Sequence, residues 1–390
     1  MNYTFIIIIS IFLTLYGGLH YYFYRKITGV FRPSGRKRLY TALILLVFML
    51  SPIIMRFMDN KSPESVYTAV TYTGYFWMGI IFLLFSFNLP VDIYRFIIFV
   101  LSGTVKQSLI KLYPNRKITF YVIASLTAFI IVYGIMEAGM IRTERIVLRT
   151  DKLPPEIDSL KIVQVTDIHF SRMNGLNFAK KITDIISGLS PDVLVSTGDM
   201  LDQGLAREKE VTALFKNISV KYGKYATTGN HEFITGIEKT GKFTEESGFR
   251  LLRNEWINVT GFLSIAAIDD PAADRGSYFK GKDESEVLRD IPPERIILFL
   301  KHQPGVQEKS IGKFDLQLSG HTHDGQIFPF KYLVGLSYKY MSGLYDLGSN
   351  SYLYVSRGTG TWGPPVRFLS PPEITVIEFV KKENSIKTGL

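Results

Sequence analysis

Runs of apolar residues in the first 141 positions constrain the fold most, because each run is long enough to cross a bilayer as a helix. A hydrocarbon core of roughly 30 Å needs about 20 such residues. Four runs have this length: residues 3–24, 39–58, 68–88 and 118–140. No basic residue precedes the first run and no small-residue cleavage site follows it, so we expect a retained span rather than a signal peptide. The sequence therefore predicts an all-α membrane region of about four transmembrane helices over residues 1–141.

Positive charge is concentrated in the loops of this membrane region. The chain has a formal net charge of +10 at pH 7, whereas residues 151–390 are close to neutral and indicate no nucleic-acid partner. Two loops are basic, one after the first run and one before the fourth, and the positive-inside rule makes both cytoplasmic. An even number of spans then places both termini outside, which predicts a multi-pass cell-membrane protein with an extracytoplasmic C-terminal half. The basic residues of the two loops are Arg25, Lys26, Arg32, Arg36, Lys37 and Arg38, then Arg95, Lys106, Lys111, Arg116 and Lys117.

Residues 89–103 leave the number of spans open. Leu89-Pro90-Val91-Asp92 is followed by an apolar stretch that contains Arg95. This stretch is too short to cross the core, so we expect an interfacial or re-entrant helix. A fifth span here would invert the predicted topology.

Beyond the membrane region the sequence predicts a linker at residues 142–160, which are charged and contain Pro154-Pro155, and a soluble domain over residues 161–382. Five strand-like segments in this domain each end at a polar motif. They are residues 161–166, 192–196, 222–228, 295–300 and 314–319. Helices are predicted over residues 174–189 and 204–217, and later strands over residues 352–356 and 374–379. This order is typical of sheets with helical crossovers, which bind ligands at the carboxyl ends of their strands.

The polar motifs at the strand ends contain residue types that bind transition metals. They are Asp167-Ile168-His169, Gly198-Asp199, Gly229-Asn230-His231-Glu232, Lys301-His302-Gln303-Pro304 and Gly320-His321-Thr322-His323. Imidazole, carboxylate and amide ligands suit Mn, Fe and Zn, and the chain has no cysteine that would compete. Residues two apart in an extended segment share a face, so Asp167 and His169 are expected to point to the same side. One such motif is more often a cap or a hydrogen-bonded residue, but five together predict a metal site.

In this order the motifs resemble those of the calcineurin-like metallophosphoesterase superfamily, and within it a membrane-anchored bacterial branch whose signature ends in Gly-His-Thr-His-x-Gly-Gln. The likeness covers about residues 155–380 and includes Ser356-Arg357-Gly358 and Pro371-Pro372-Glu373-Ile374. Asp324 departs from the pattern, since relatives often carry glycine there. The resemblance implies an α/β fold, a four-layer αββα sandwich of helices outside two mixed sheets, with a two-metal centre at the sheet edge.

The resemblance also implies a role for each motif residue. One metal would be held by Asp167, His169, Asp199 and His323, and the second by Asp199, Asn230, His302 and His321. His231 would act as the general acid. A carboxylate shared by two cations about 3.5–4 Å apart offsets their repulsion, and the pair shares a hydroxide that attacks phosphorus. The expected cofactor is therefore two divalent ions, and the ligand types do not decide among Mn, Fe and Zn.

Four further residues have two interpretations each. Glu232 is expected to support its neighbours by hydrogen bonding rather than to bind metal, and Gln326 either orients a ligand or is exposed. Arg367 and Trp362, in the Gly-rich loop of residues 357–367, either contact substrate or pack the loop. The remaining histidine, His20, lies in the first apolar run and is expected to pack between helices.

The sequence thus predicts a membrane-anchored binuclear-metal phosphoesterase that hydrolyses phosphodiester or pyrophosphate bonds. Lipid or lipid-linked substrates are favoured because a tether raises the effective concentration of a membrane-bound substrate. One alternative is a nucleotide or phosphomonoester phosphatase with the spans as a simple anchor. Another is a non-catalytic binding or sensing module, which the complete set of ligand types disfavours. The predicted partners are the lipid bilayer and a phosphorylated substrate, and no protein partner is inferred.

Overall fold

The computed structural model describes residues 3–58, 63–105, 108–275 and 282–382. The chain divides into two compact units. The N-terminal unit comprises residues 1–136 and 363–366, and the C-terminal unit comprises residues 137–362 and 367–390. The N-terminal unit therefore holds the apolar runs, and the C-terminal unit holds the polar motifs.

The described part of the N-terminal unit contains four helices: α1 Tyr3–Phe31, α2 Gly35–Phe57, α3 Glu64–Thr104 and α4 Arg116–Gly139. The last residues of α4 belong to the C-terminal unit. A 3-10 turn, Ile110–Leu112, precedes α4. The Asn115 side chain caps α4 by accepting bonds from the backbone N–H groups of Lys117 and Ile118, at 3.0 and 3.2 Å. His20 is buried and accepts a bond of 2.8 Å from Trp77 Nε1, so it joins α1 to α3 as the helix-packing interpretation predicts.

Three of these helices contain segments long and apolar enough to cross a membrane: Gly35–Ile54, Ser65–Thr104 and Arg116–Gly139. They overlap the predicted spans at residues 39–58, 68–88 and 118–140. The predicted span at residues 3–24 lies within α1, and its crossing of the bilayer stays a prediction. The chain therefore has apolar membrane-type helices ahead of its C-terminal unit, as predicted.

Residues 89–103 continue α3 instead of forming a separate interfacial or re-entrant helix. Pro90 lies inside α3, where proline removes one backbone hydrogen bond. At 1.5 Å per residue a helix of 41 residues is about 60 Å long, roughly twice the thickness of the hydrocarbon core. The apolar stretch that looked too short for a span is thus the C-terminal part of a long helix.

Two six-stranded mixed sheets form the C-terminal unit, in the orders β1-β12-β2-β3-β4-β5 and β10-β11-β9-β8-β7-β6. The strands are β1 Arg142–Thr150, β2 Ser159–Val165, β3 Val193–Ser196, β4 Lys224–Ala226, β5 Arg250–Leu251, β6 Glu255–Asn258, β7 Leu263–Ala267, β8 Ile296–Leu300, β9 Leu316–Ser319, β10 Gly343–Gly348, β11 Ser351–Val355 and β12 Glu373–Lys381. Strands β2 to β5 run parallel in the first sheet, and β7, β8, β9 and β11 run parallel in the second. The antiparallel pairs are β2 with β12, β6 with β7 and β10 with β11.

Among the described residues, the C-terminal unit also contains seven helices. They are α5 Leu176–Leu189, α6 Glu208–Lys216, α7 Asn230–Thr235, α8 Ile237–Glu246, α9 Ala272–Arg275, α10 Glu284–Val287 and α11 Lys331–Val334. Short 3-10 turns occupy Glu308–Ser310 and His323–Gly325. The predicted helices at residues 174–189 and 204–217 correspond to α5 and α6.

Three buried apolar clusters define the layers of the C-terminal unit. Adjacent strand residues alternate between them, as the pleat requires: Ile162 lies in the cluster shared by both sheets, and Val163 lies in the cluster with Ile182 of α5. On the second sheet, Leu298 belongs to the shared cluster, whereas Phe299 packs in a third cluster on the outer face. Two stacked sheets with packing on both outer faces confirm the predicted α/β sandwich.

Part of the predicted linker is a strand. Residues 142–150 form β1, which pairs in parallel with β12 from Arg142 opposite Glu373 to Thr150 opposite Lys381. The charged composition of β1 suits an edge strand, because most of its side chains face solvent while Leu148 is buried. Charge alone therefore suggested a linker where the chain forms an edge strand.

Candidate metal centre

The candidate site lies where parallel strands of both sheets end. Strand β2 leads to Asp167 and His169, and β3 leads to Asp199. The two loops are joined by backbone hydrogen bonds of 3.0 Å from Asp167 N to Gly198 O and from His169 N to Asp199 O. The other predicted ligands follow β4, β8 and β9: Asn230, His302, His321 and His323. The fold thus brings together side chains that are far apart in sequence, at the edge that the strand pattern predicts.

One group of side chains converges around His323. Its Nε2 lies 3.1 Å from His169 Nε2 and 3.4 Å from Asp167 Oδ1. His169 Nε2 lies a further 3.8 Å from Asp199 Oδ2. Asp167, His169 and His323 are all buried and could hold one metal ion.

A second group converges around His302. Its Nε2 lies 3.2 Å from Asp199 Oδ2, 3.2 Å from Asn230 Oδ1 and 3.1 Å from His321 Nδ1. Asp199, His302 and His321 could hold a second metal ion. Asp199 contacts both groups, which is the position expected of a bridging carboxylate.

The chemistry of the donor atoms fits divalent cations. Imidazole nitrogens face one another at hydrogen-bonding distance, with buried carboxylate oxygens between them. His302 Nδ1 lies 2.8 Å from Thr197 O and donates to it, so Nε2 is the nitrogen that faces Asp199 and Asn230 and would bind a cation. A histidine whose other nitrogen bonds a carbonyl in this way is a typical metal ligand.

Charges within the site shift the pKa values of its members. Burial alone would raise the pKa of Asp199, but the neighbouring histidines, His302 foremost, hold it well below its usual value. Burial would lower the pKa of His302, but Asp199 raises it well above the usual value. Burial and then His302 lower the pKa of His321 to about 3, so its ring is neutral and free to accept a cation. The Asp199 carboxylate therefore stays ionised inside the protein.

Backbone conformation, and not an extended strand, makes these side chains converge. Asp167, His169, Asp199, His321 and His323 all have positive φ, between 48° and 72°. A non-glycine residue in this left-handed region costs on the order of 1 kcal/mol. The expectation that Asp167 and His169 share a face of an extended segment is therefore wrong, although their side chains do meet. Strain of this kind is typical of functional sites.

Two glycines are required by close approach to the carboxylates. A Cβ at Gly320 would collide with Asp167 Oδ2, and one at Gly229 would collide with Asp199 Oδ1. The absence of these side chains also lets backbone N–H groups reach the carboxylates. His321 N donates to Asp167 Oδ2 at 3.0 Å, and His231 N donates to Asp199 Oδ1 at 2.8 Å.

His231 pairs with an aspartate that the motif analysis missed. His231 Nδ1 lies 2.5 Å from Asp202 Oδ1, and the other oxygen of Asp202 lies 3.3 Å from His169 Nδ1. Burial lowers the pKa of His231, but Asp199 and Asp202 together raise it to about 9. Burial opposes ionisation of Asp202, yet His169 and His231 hold its pKa below the usual range. The only signal in the sequence is the Asp-x-x-Asp spacing from Asp199, which is weak.

Glu232 supports the site through the backbone, as the sequence analysis expects. Its carboxylate accepts bonds from the N–H groups of Asp199 and Met200, both at 2.9 Å, and from Gly229 N at 2.6 Å. Burial, reinforced by Asp199, raises the pKa of Glu232 to about 7. Glu232 therefore ties the loop after β3 to the loop after β4.

Arg367 and Trp362 have different positions, although both come from the Gly-rich loop. Arg367 is fully buried, donates to the carbonyls of Gly360, Ser370 and Arg357, and approaches His323 Nδ1 to 3.0 Å. Burial lowers its pKa to about 10. Arg367 thus packs the loop behind His323, which favours the packing interpretation. Trp362 is 53% exposed, and its ring centroid lies 6.1 Å from that of His231.

Three more residues surround the centre. Gln326 is buried and joins Trp362 through two bonds, from its Nε2 to Trp362 O at 2.9 Å and from Trp362 N to its Oε1 at 2.8 Å. Tyr338 Oη lies 2.7 Å from His321 Nε2, and Gln303 Nε2 donates to Asp270 Oδ2 at 2.8 Å. Tyr338 belongs to no motif, so the sequence carries no signal for it.

Comparisons with known proteins agree with this site. The family model described as calcineurin-like phosphoesterase matches residues 160–325. A protein of Aquifex aeolicus named as an uncharacterized metallophosphoesterase is 33% identical over 253 residues, which cover 65% of this chain and 97% of that protein. An uncharacterized metallophosphoesterase of Campylobacter jejuni is 36% identical over 60% of this chain and 62% of its own length.

One relative comes from an animal, and its name describes it as a transmembrane protein. The transmembrane protein with metallophosphoesterase domain of Danio rerio is 31% identical over 65% of this chain and 60% of its own length. The matched regions thus span less than two thirds of the Campylobacter and Danio proteins and nearly all of the Aquifex protein. The chain belongs to the calcineurin-like metallophosphoesterase family, whose members are metal-dependent phosphoesterases.

Proposed function

We propose that this protein is a membrane-anchored binuclear-metal phosphoesterase that hydrolyses phosphodiester or pyrophosphate bonds in lipid or lipid-linked substrates. The observation that carries the proposal is Asp199, whose side chain contacts two separate groups of candidate ligand residues. Asp167, His169 and His323 would hold one cation with it, and Asn230, His302 and His321 the other. Two divalent cations, of manganese, iron or zinc, would make a phosphoryl group electrophilic and lower the pKa of water when bound.

His231 is suited to donate the proton that the leaving oxygen needs. Asp199 and Asp202 raise the pKa of the His231 ring, which favours its protonated form. Asp202 accepts from Nδ1 and fixes the ring, which leaves the Nε2 proton for the leaving group. A positioned general acid contributes about 10²- to 10⁴-fold to a rate.

An apolar rim beside the centre supports a lipid substrate. We define the apolar rim as Phe330, Tyr332, Leu333, Leu336 and Trp362, which are 40–84% exposed. The Trp362 ring lies edge-on to the His231 ring, with centroids 6.1 Å apart, and Tyr338, two residues beyond Leu336, lies 2.7 Å from His321 Nε2. Exposed apolar side chains grouped at a polar site mark a surface that meets lipid or another apolar partner.

The test is hydrolysis by the full chain in lipid nanodiscs, stripped of metal with a chelator and reloaded with Mn²⁺, Zn²⁺ or Fe²⁺. The substrates are a chromogenic phosphodiester, its monoester analogue, and a phospholipid with its short-chain soluble analogue. We expect metal to restore hydrolysis, the diester to exceed the monoester, and the phospholipid to exceed its soluble analogue. Faster hydrolysis of the monoester would favour the anchored phosphatase instead, and bound metal without any hydrolysis would favour a binding module.

A further inference from the structure

A cavity of about 700 Å³ opens among the helices of the N-terminal unit. Every helix contributes charged residues to its wall. Five of the lining side chains are basic and one is acidic: Arg25, Lys26, Arg38, Arg95, Arg116 and Asp92. Ligand pockets typically measure about 300–1,000 Å³, so this volume suits a small molecule or a lipid headgroup.

The single carboxylate of the wall is already shared. Asp92 accepts from Lys26 Nζ and from Tyr22 Oη, both at 2.5 Å, and lies 3.9 Å from Arg95 Nη1. Arg95 also donates to Pro114 O at 3.1 Å. These contacts occupy Lys26 and Arg95 and fix the junction of α1 with α3.

The remaining cations face the cavity without an acidic partner in the described residues. Arg25 donates to Tyr21 Oη at 3.2 Å, which is a neutral acceptor. Arg38 and Arg116 come from α2 and α4 and carry like charge into the same space. An anion in the cavity would offset the repulsion between these like charges.

The wall also matches the chemistry of a phosphate group. Guanidinium groups donate two parallel bonds to phosphate oxygens. Tyr21, Tyr22 and Tyr24 line the same cavity, and tyrosines of membrane helices mark the depth of the lipid headgroups. Basic pockets between membrane helices bind anionic headgroups.

We propose that this cavity binds the phosphate group of an anionic membrane lipid. None of its lining residues belongs to the metal centre, so the site is separate from hydrolysis and does not rest on the proposed activity. The phosphate would lie against Arg25, Arg38 and Arg116, with the hydroxyls of Tyr21 and Tyr24 as neutral donors. The rest of the headgroup would fill the cavity.

The test is lipid retention by the full chain, measured by native mass spectrometry after transfer from mixed nanodiscs. The probes are phosphatidic acid against phosphatidylcholine, and inorganic phosphate as competitor. We expect phosphatidic acid to bind at least about tenfold more tightly than phosphatidylcholine. Equal retention of the two lipids would overturn the proposal. Displacement by inorganic phosphate at comparable concentration would overturn the assignment to a lipid and leave a site for free phosphate.

The chain offers matched controls at neighbouring positions. Arg38→Gln with Arg116→Gln removes two lining cations, whereas Lys37→Gln with Lys117→Gln removes two basic residues outside the cavity wall. We expect the first pair to weaken phosphatidic acid binding by at least about tenfold and the second pair to leave it unchanged. Equal losses in both pairs would mean only general attraction to anionic lipid.

A charge-conserving pair of substitutions tests whether the guanidinium groups bind the lipid through more than their charge, while long side chains still pack against the helices. Arg38→Lys with Arg116→Lys keeps both charges but removes the paired donors. Its binding is expected between those of the wild type and the glutamine pair. Circular dichroism and metal-dependent hydrolysis of a soluble ester report folding in every variant, and a folded glutamine pair that retains phosphatidic acid contradicts the proposal.

Discussion

Asp199 contacts both groups of candidate ligands, so its charge matters more than its size. We expect Asp199→Asn to lower bound metal from two ions per chain to one or none, and hydrolysis by more than about 100-fold, because a neutral amide cannot balance two cations. Elemental analysis and initial rates measure the two effects. The control is Asp184→Asn, at an exposed position of α5. Full metal content and full activity in the Asp199 variant would contradict a bridging role for Asp199.

His231 can be separated from metal binding by the choice of leaving group. His231→Gln should lower turnover of an alkyl phosphodiester by about 10²- to 10⁴-fold, because the alkoxide must be protonated as it departs. A nitrophenyl ester should lose much less, since its leaving group is already a weak base. Metal content should stay unchanged. An equal loss on both esters would show that His231 has a different role.

Gly320 tests the close packing behind Asp167. In Gly320→Ala the new methyl group would collide with the Asp167 carboxylate, so we expect weaker metal binding and a lower melting temperature. Gly261→Ala is the matched control, because a Cβ there meets no atom within 4 Å. Calorimetric titration with Mn²⁺ measures the affinities. Equal affinity in the two variants would contradict the close packing.

At the scale of the elements, the α11 segment tests the lipid substrate. Tyr332→Ser with Leu336→Ser should lower hydrolysis of a phospholipid in vesicles by about tenfold, because each apolar side chain contributes to contact with lipid. Hydrolysis of a soluble diester should not change. Val147→Ser, at an exposed apolar position of β1, is the control. Equal effects on both substrates would mean that the apolar rim only supports the fold.

Apolar runs and their ends were enough to predict the strands that position the site, because a buried parallel strand leaves a strong pattern. The left-handed backbone of Asp167 and His169 left no such pattern, since residue type alone does not determine φ. Asp202 and Tyr338 are placed by the loops after β3 and α11. Strand β1 was obscured because edge strands tolerate charge. The sequence therefore predicted the site residues that directly follow strands, and it missed the site residues that loops position.

At the scale of the whole molecule, we expect α4 to set the side of the membrane on which the C-terminal unit lies. The basic residues Lys111, Arg116 and Lys117 lie just before or within its first turn, and their charge favours the cytoplasmic side. We therefore predict that the chain leaves α4 on the outer side. Residues 89–103 belong to α3 rather than to a separate helix, which favours this prediction.

The absence of cysteine makes the orientation directly measurable. Single cysteines would be placed at Asp184 in α5 and at Lys37 near the start of α2, and intact cells treated with a membrane-impermeant maleimide. We expect Asp184→Cys to be labelled in intact cells and Lys37→Cys only after permeabilisation, because the first lies beyond α4 and the second lies among the basic residues at the start of α2. The reverse pattern would place the metal centre in the cytoplasm. An extracytoplasmic result would restrict the substrates to phosphate esters present outside the cytoplasm, including lipids of the outer leaflet.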